Sequence, residues 1–408
     1  MDVDNTTVDD KELLEELNTK FTDTLLPVTV FVAIETVVGF IGNLLTVCVF
    51  LFHYQPCNYR TFNICLGLID FSCTLTTMPG EIVTQRFWYN YPYPVVCKTK
   101  DFFNIFTVSA ETLVLLIIAI DRYRKICCPL KWQISPTIAV VLCIAMLLLA
   151  AVIASPVSVF WGIRSYQKVY KNTTITVTLC EKDEAYENTD YPFGYEAMVG
   201  GLIFTILVPM LILNVAVARR LFSRKKLGTP GKKKITQTIS TISASEISLS
   251  CLDSEINDKR RQIGDASGEI DNKQNDKPGR ESETERDEGN ATISTMGSIH
   301  SKSSRKKKVN PATAGSKSSR VRRKALIMFI LTATFMCTTV LYFTMISILG
   351  SAGNIVNSLS DGGKAGFFFF LRFYFIQHII NPILYAILDP NVQKGLKLLF
   401  LRLLCRKE

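Results

Sequence analysis

Residues 119–130 read AIDRYRKICCPL, and they follow the apolar run TVSAETLVLLII of residues 107–118. The triplet Asp121-Arg122-Tyr123 therefore stands at one end of a stretch long enough to cross a membrane, with Arg124 and Lys125 just beyond it. Ionic side chains are costly in hydrocarbon, so a run that ends this way ends at a membrane surface or keeps its charges for a task. Working outward from it, apolar segments recur at about 25–52, 61–83, 97–126, 137–160, 195–221, 324–349 and 366–388. Each is long enough to span a hydrocarbon layer of roughly 30 Å. Backbone groups in lipid must bond internally, which leaves helices or a closed barrel. Runs of this length without alternation of period two exclude the barrel. The expected fold is an all-α membrane protein, a seven-transmembrane helix bundle.

Composition agrees. The 408 residues are 48% hydrophobic yet 20% charged, with a net charge of +10. Both figures coexist because the charge lies between the apolar runs, whereas a soluble protein mixes the two. Residues 1–24 form an acidic tail, with Asp2, Asp4, Asp9, Asp10, Glu12, Glu15, Glu16 and Asp23 against Lys11 and Lys20. They show no basic start or cleavage site, so no signal peptide is read there. Basic clusters follow the third span (Arg122, Arg124, Lys125, Lys131), the fifth (RRLFSRKK, 219–226) and the last. The charge bias places the N-terminus outside and the C-terminus in the cytoplasm. Segments 25–221 and 324–388 hold spans one to five and six to seven. Between them residues 222–323 are rich in Ser, Thr, Lys and Glu and are expected to be a disordered cytoplasmic loop, with Ser303, Ser304, Ser318 and Ser319 as kinase sites or plain solvated serines. Residues 389–408 begin with Asp389-Pro390, then restart an amphipathic helix with Leu396, Leu399, Phe400 and Leu403 on one face, suited to the membrane surface. Sequons at Asn5 and Asn172 lie on the outer side; the one at Asn290 lies on the wrong side for glycosylation.

The spans carry an ordered set of motifs. The first holds Gly42-Asn43, the second Asp70 in LGLID, the third Asp121-Arg122-Tyr123, the fifth Pro209, and the last Asn381-Pro382-Ile383-Leu384-Tyr385. Together, each in its own span, they resemble the rhodopsin-like G-protein-coupled receptors, over everything but the N-terminal tail and the long loop. The resemblance implies a plasma-membrane receptor that binds an extracellular ligand and activates heterotrimeric G proteins, with arrestin and kinases as further partners, lipid around it, and no nucleic acid. It implies a disulfide between Cys97 and Cys180. It implies that Arg122 restrains the resting state through Asp121, with Tyr385 and Asn381 rearranging nearby. Pro209 and Pro382 leave carbonyls without partners, which gives bending points. The segment TITVTLCEK (174–182) alternates as a hairpin strand does.

Ligand classes divide on single positions. Amine receptors carry an Asp where this chain has Asn104, and opsins a lysine where it has Phe375. The outer region offers Glu81, Gln85, Asp101, Asn104 and Glu181 among aromatic residues, a mixture suited to a peptide, including a basic one. Pro79, nine residues after Asp70, also resembles peptide receptors. Other readings stay open: a small non-amine ligand, a receptor fold that couples to no G protein, or a transporter or channel. No internal repeat supports the last. No nucleophile–base set suggests an enzyme.

Departures from the family pattern are concentrated. The sixth span has Thr338-Thr339-Val340-Leu341 in place of Cys-Trp-x-Pro, the fourth lacks its tryptophan, and Val217 replaces a tyrosine in the fifth. In the ion pocket, Glu111 and His378 replace small polar residues. Asn43, Asp70, Glu111 and His378 should then form a polar core. Two buried carboxylates repel, so a proton or a cation, sodium near Asp70 being the family's choice, is expected there. No other cofactor is implied. Glu35 and Arg372 lie at similar depths, and lone intramembrane charges pair, so a Glu35–Arg372 contact is expected.

Overall fold

A computed structural model describes residues 3–226, 311–351 and 358–405. By internal contacts the chain divides into residues 1–251 with 322–408, and residues 252–321. The following concerns the first unit. Seven of its helices are long and apolar enough to cross a membrane. Their spans are Asp9–His53, Asn58–Arg86, Pro94–Cys127, Pro136–Phe160, Tyr191–Leu221, Arg323–Leu349 and Asp361–Leu388. The chain is thus a multi-pass membrane protein with a seven-helix bundle. The third span is the central one, and its Val108–Ala119 face is almost wholly buried. The fourth has a mean hydropathy of 3.0 and buries only Ala139, Cys143, Ala150 and Ala154 along Pro136–Ala154, so most of its apolar surface faces outward.

Two spans are interrupted for readable reasons. The second breaks at Thr76 between helices Asn58–Leu75 and Thr77–Arg86. Pro79 has no N–H to give the Leu75 carbonyl, so the ladder cannot run through. The seventh divides into Asp361–Arg372, a 3₁₀ turn at Phe373–Phe375, and Ile376–Leu388. The sixth, helix Pro311–Ser351, has no interior proline and runs unbroken. The fifth, Tyr191–Lys226, also continues past Pro209, which lies on the exposed face.

The acidic segment 1–24 is not separate from the first span: one helix runs from Val3 to His53. Its outer turns rest on the hairpin, with Leu17 buried beside Tyr89, Ile175 and Val177, and Glu16 within 2.5 Å of Lys171. The hairpin pairs Trp161–Tyr170 with Thr173–Lys182 in antiparallel register. Its two-residue turn puts both Lys171 (φ 48°) and Asn172 (φ 66°) in the left-handed region, as a tight hairpin turn requires. Cys180 of the second strand is bonded to Cys97 of the third span, as the resemblance implied. At the opposite end Arg60 donates to the Phe50 and Leu51 carbonyls (2.9 and 3.0 Å) and so closes the first helix.

Both borders of segment 222–323 extend helices, to Lys226 and from Pro311. Ser303, Ser304 and Asn290 lie outside the described residues, as do the side chains of Ser318, Ser319 and Asn5. The last helix, Pro390–Cys405, turns Val392 and Leu396 inward. Phe400, expected on the same face, is exposed together with Leu398 and Leu401. The protein buries only a narrow stripe of this helix, and these side chains are left for another apolar medium.

Close approach of the first and seventh spans depends on Gly42. A Cβ there meets the Pro382 ring at 2.8 Å, closer than such atoms approach. Gly201 in the fifth span has nothing within 4 Å of that position. Gly42→Ala should therefore cost about 1–3 kcal/mol through overpacking and lower the thermal midpoint of the detergent-solubilised protein. Gly201→Ala should leave it equal or slightly higher, because alanine is the better helix former.

Candidate functional site

Two polar regions are built into the bundle. The outer one is a cavity of about 240 Å³ at the hairpin end, lined by the second to seventh spans and the hairpin. Its charge is organised around Glu81, which is buried and takes Arg372 as a hydrogen-bonded ion pair and Lys100 at 3.5 Å. Lys100 also reaches Asp101 at 3.0 Å. Deeper, Asn104 accepts from the Tyr374 hydroxyl at 2.7 Å and donates to the Tyr342 hydroxyl at 3.3 Å. The hairpin contributes Glu181, which Arg164 holds at 2.9 Å from outside the lining. Burial alone lowers the Arg164 pKa, but Glu187 and Glu181 outweigh it and hold the guanidinium above its ordinary value. Glu196 of the fifth span also lines the cavity, and makes no salt bridge among the described residues.

Of the expected ligand residues, Glu81, Asp101, Asn104 and Glu181 line this cavity. Gln85 does not: it is buried and accepts from Thr29 at 2.7 Å, tying the second span to the first. Lys100, Glu196, Tyr342 and Tyr374 are additions. Lys100 was visible as a lysine beside Asp101, whereas the inward turn of Glu196 has no signature in a helix with a polar outer end.

The expected Glu35–Arg372 pair does not form. Arg372 turns to Glu81, and both Glu35 carboxylate oxygens are buried without a hydrogen-bond partner among the described residues. Equal depth along two helices does not fix the direction in which each points. The 3₁₀ turn just after Arg372 advances about 120° per residue instead of 100°, which sets the outer half of the seventh span at a different angle from its inner half.

The second region is the polar core. Asp70, Glu111 and His378 converge as expected, all buried. His378 Nδ1 lies 2.9 Å from Asp70 Oδ1 and 3.6 Å from Glu111 Oε2. The Asn381 amide donates to Asp70 Oδ2. Asn43 plays a different part. Pro382 deprives the His378 carbonyl of its helical donor, and the Asn43 amide supplies the missing bond at 2.8 Å. Next to this core Thr338, one of the residues in place of the missing sixth-span motif, donates to Gln377 at 2.9 Å. Asp70, Glu111 and His378 each offer a ligand atom within 4.8 Å of the others, and Glu111 Oε2 is buried with no hydrogen-bond partner among the described residues. Each Asp70 oxygen receives one donor and keeps a lone pair, so these residues fit a small cation such as the sodium ion that the resemblance implies.

At the far end Asp121 is buried and its Oδ1 is held by Lys125 at 2.9 Å and by Asn58 at 2.8 Å. Arg122 is only 4.0 Å from the other oxygen, and its guanidinium packs over the Tyr59 ring at 5.3 Å instead. Tyr123 is half-buried. Tyr385 donates to Asn63 at 2.6 Å. Tyr54 and Tyr59 both donate to Asp389, which also caps the last helix through the Asn391 N–H at 3.0 Å. Sequence reading missed the Asp389 cluster because its tyrosines lie in and beside a short connection, outside any motif.

Residues 42–385 match the family described as 7 transmembrane receptor (rhodopsin family). Mouse (Mus musculus) neuromedin-U receptor 2 is 35% identical over 125 residues, 29% of this chain and 30% of that receptor. The substance-P receptor of Aquarana catesbeiana is 24% identical over 188 residues, 45% of this chain and 43% of that receptor. A human (Homo sapiens) purinoceptor is 30% identical over 206 residues, 48% of this chain and 53% of that receptor. The matched stretches thus span between about a third and half of the length of these relatives.

Asn43→Leu should strand the His378 carbonyl, and a buried polar group left unmet costs about 1–3 kcal/mol. The thermal midpoint should fall. Adding Pro382→Ala restores a backbone N–H to that carbonyl, so the double variant should lose less than the sum of the two single losses. Strict additivity in this cycle would show that the two groups do not serve one carbonyl.

Proposed function

This chain belongs to the rhodopsin family of seven-transmembrane receptors, and we propose that it takes a cationic peptide in the cavity beneath the hairpin and passes the signal to a heterotrimeric G protein. The observation that carries the ligand class is the balance of charge around the cavity. Four carboxylates line it (Glu81, Asp101, Glu181, Glu196) against two cations (Lys100, Arg372). Both cations are already answered, by Glu81 and Asp101. Glu196 is left to receive a positive group of the ligand. A cleft lined by excess charge of one sign attracts a ligand of the other and sets its register. The aromatic wall of Trp88, Trp161, Tyr342 and Phe368 suits an apolar or aromatic neighbour of that cation.

The rest of the reading follows from the charge bias of the sequence. The hairpin end faces outside at the plasma membrane, and the C-terminus with the Arg122 end faces the cytoplasm. Asn172 then stands exposed at the outer hairpin turn, open to glycosylation. Asp121, Arg122, Tyr123, Asn381, Pro382 and Tyr385 form the coupling end, with Pro209 in the fifth span as a bend. Arrestin and receptor kinases are the further partners on that side, and the apolar side chains of the last helix rest on lipid. The missing tryptophan and proline of the sixth span do not remove the helix's tie to the seventh, which Thr338 makes through Gln377.

Secreted peptides applied to cells expressing the chain, with nucleotide exchange on a panel of G proteins as the readout, should yield a basic peptide agonist. Glu196→Gln should lower its potency about tenfold, on the order of 1.4 kcal/mol. The protein should keep its thermal midpoint, since Glu196 forms no salt bridge among the described residues. Activation by a nucleotide, strengthened by Glu196→Gln, would overturn the cationic reading. Absence of any exchange under every ligand and G protein would overturn coupling itself.

A further inference from the structure

Two features set the mid-depth core apart from a plain sodium pocket. The first is charge. Asp70 and Glu111 are both buried, and a single sodium ion answers only one of two carboxylates. A dication answers both, and charge inside a membrane has to be met. The second is the donor set. Hard cations favour oxygen donors throughout, whereas an imidazole nitrogen suits zinc, copper, iron and nickel. His378 Nδ1 stands 2.9 Å from Asp70 Oδ1 and 3.6 Å from Glu111 Oε2. A tetrahedral zinc ion, with bonds of about 2.0–2.2 Å, spaces its donors roughly 3.4 Å apart. The two gaps lie on either side of that spacing. Glu111 Oε2 is the oxygen left without a hydrogen-bond partner among the described residues, and it is aimed at the ring.

We propose that this core is a site for a transition-metal dication of the zinc class, ligated by His378, Asp70 and Glu111, which ties the seventh, second and third spans together. The metal takes the place of the hydrogen between Nδ1 and Asp70 Oδ1. Groups around the ligands already suit it. The Asn381 amide holds Asp70 Oδ2 and so leaves Oδ1 to the ion. With Nδ1 on a metal, the ring's Nε2 carries the proton and needs an acceptor. Gln377 lies 3.3 Å from that nitrogen, and a half-turn of its amide presents the oxygen. The amide nitrogen then faces the Thr338 hydroxyl, which can give its own proton to the Thr334 carbonyl at 3.0 Å. Three protein ligands leave one position for water, as in other open zinc sites. Tyr374, in the lining of the acidic outer cavity, precedes His378 by four residues, so the site lies about one helical turn below that cavity. This inference depends neither on what fills the cavity nor on coupling to a G protein.

Thermal unfolding of the purified full chain in detergent tests it. The protein is stripped with a chelator, held in choline chloride at an ionic strength of about 0.15 M, and titrated with zinc chloride. A ligand that binds only the native state raises the midpoint. The wild type should show a saturable rise and retain one zinc per chain after dialysis. Glu111→Gln and His378→Asn each remove one ligand, so each should weaken the zinc response about tenfold or more. A wild type that zinc does not stabilise overturns the proposal, and a rise with sodium chloride alone then leaves the family's ion in its place. A zinc response that either variant keeps overturns it too, since the ion is then held elsewhere. Should the variants fail to fold, electron paramagnetic resonance of bound copper(II) decides the matter. The chain has three histidines, so replacing His53 and His300 by asparagine leaves His378 as the sole imidazole. Nitrogen splitting from one imidazole upholds the proposal, and an all-oxygen spectrum or no bound copper overturns it.

Discussion

A charge inside a membrane has to be answered from within the protein, and the placement of those answers governs this molecule. Glu81 is met by Arg372 and Lys100, Asp70 by His378 and Asn381, and Asp121 by Lys125 and Asn58. Each set joins different spans at a different level. The first ties the second, third and seventh spans at the hairpin end. The second does the same at mid-depth with Glu111 added. The third ties the second and third at the other end. Removing one partner from such a set leaves a buried charge exposed to a poor solvent, at a cost of about 3–5 kcal/mol. Lipid gives no hydrophobic drive for helices to associate, so these polar ties, together with close packing at Gly42, specify which helices meet.

The fold was legible because its cause is one-dimensional. Hydrocarbon thickness sets the length of an apolar run, and all seven runs became helices at nearly the expected places. The polar core and the family were also readable, since each rests on residue types at fixed intervals along helices, and the resemblance implied the disulfide. What sequence did not convey was direction around an axis. Glu35 and Arg372 share a depth, yet a 3₁₀ turn separates the two halves of the seventh span and Arg372 faces Glu81. Gln85 looked like a ligand residue and is instead bound to Thr29 of the first span. The acidic N-terminal segment read as a tail because charge dominates it, but Leu13, Leu14, Leu17 and Phe21 recur at helical spacing and pack over the hairpin and over Trp88 and Tyr89 between the second and third spans. That stripe was present in the sequence and was outweighed by the charge around it.

Prolines divide the spans into those that bend and those that do not. In the second, Pro79 coincides with an interruption at Thr76. In the seventh, Pro382 leaves one carbonyl open and a side chain from another span closes it. The sixth has none in its interior and runs unbroken; it meets the seventh through the Tyr342 and Tyr374 rings, 4.5 Å apart, and through Thr338 and Gln377, immediately beside His378. A short polar contact tolerates less displacement than an aromatic ring before it breaks, because hydrogen bonds weaken steeply with angle and distance.

These features lie along one strip of the seventh span. Arg372 holds Glu81 at the cavity, the 3₁₀ turn follows, and then come His378 on Asp70, Asn381 on the same carboxylate and Tyr385 on Asn63. A 3₁₀ turn inside a helix is a place where the two halves can rotate relative to one another. The half below it is pinned at its carbonyl, its imidazole and its amide, to the first, second and third spans together. Rotation there therefore has to break contacts as a set, which gives discrete arrangements in preference to a graded slide. Arg122 rests on Tyr59 with its Nε 4.0 Å from Asp121 Oδ2, while Lys125 occupies Oδ1. The seventh span's ties are thus densest around His378 at mid-depth, and Tyr385 on Asn63 and Asp389 on Tyr54 and Tyr59 add to them at the far end.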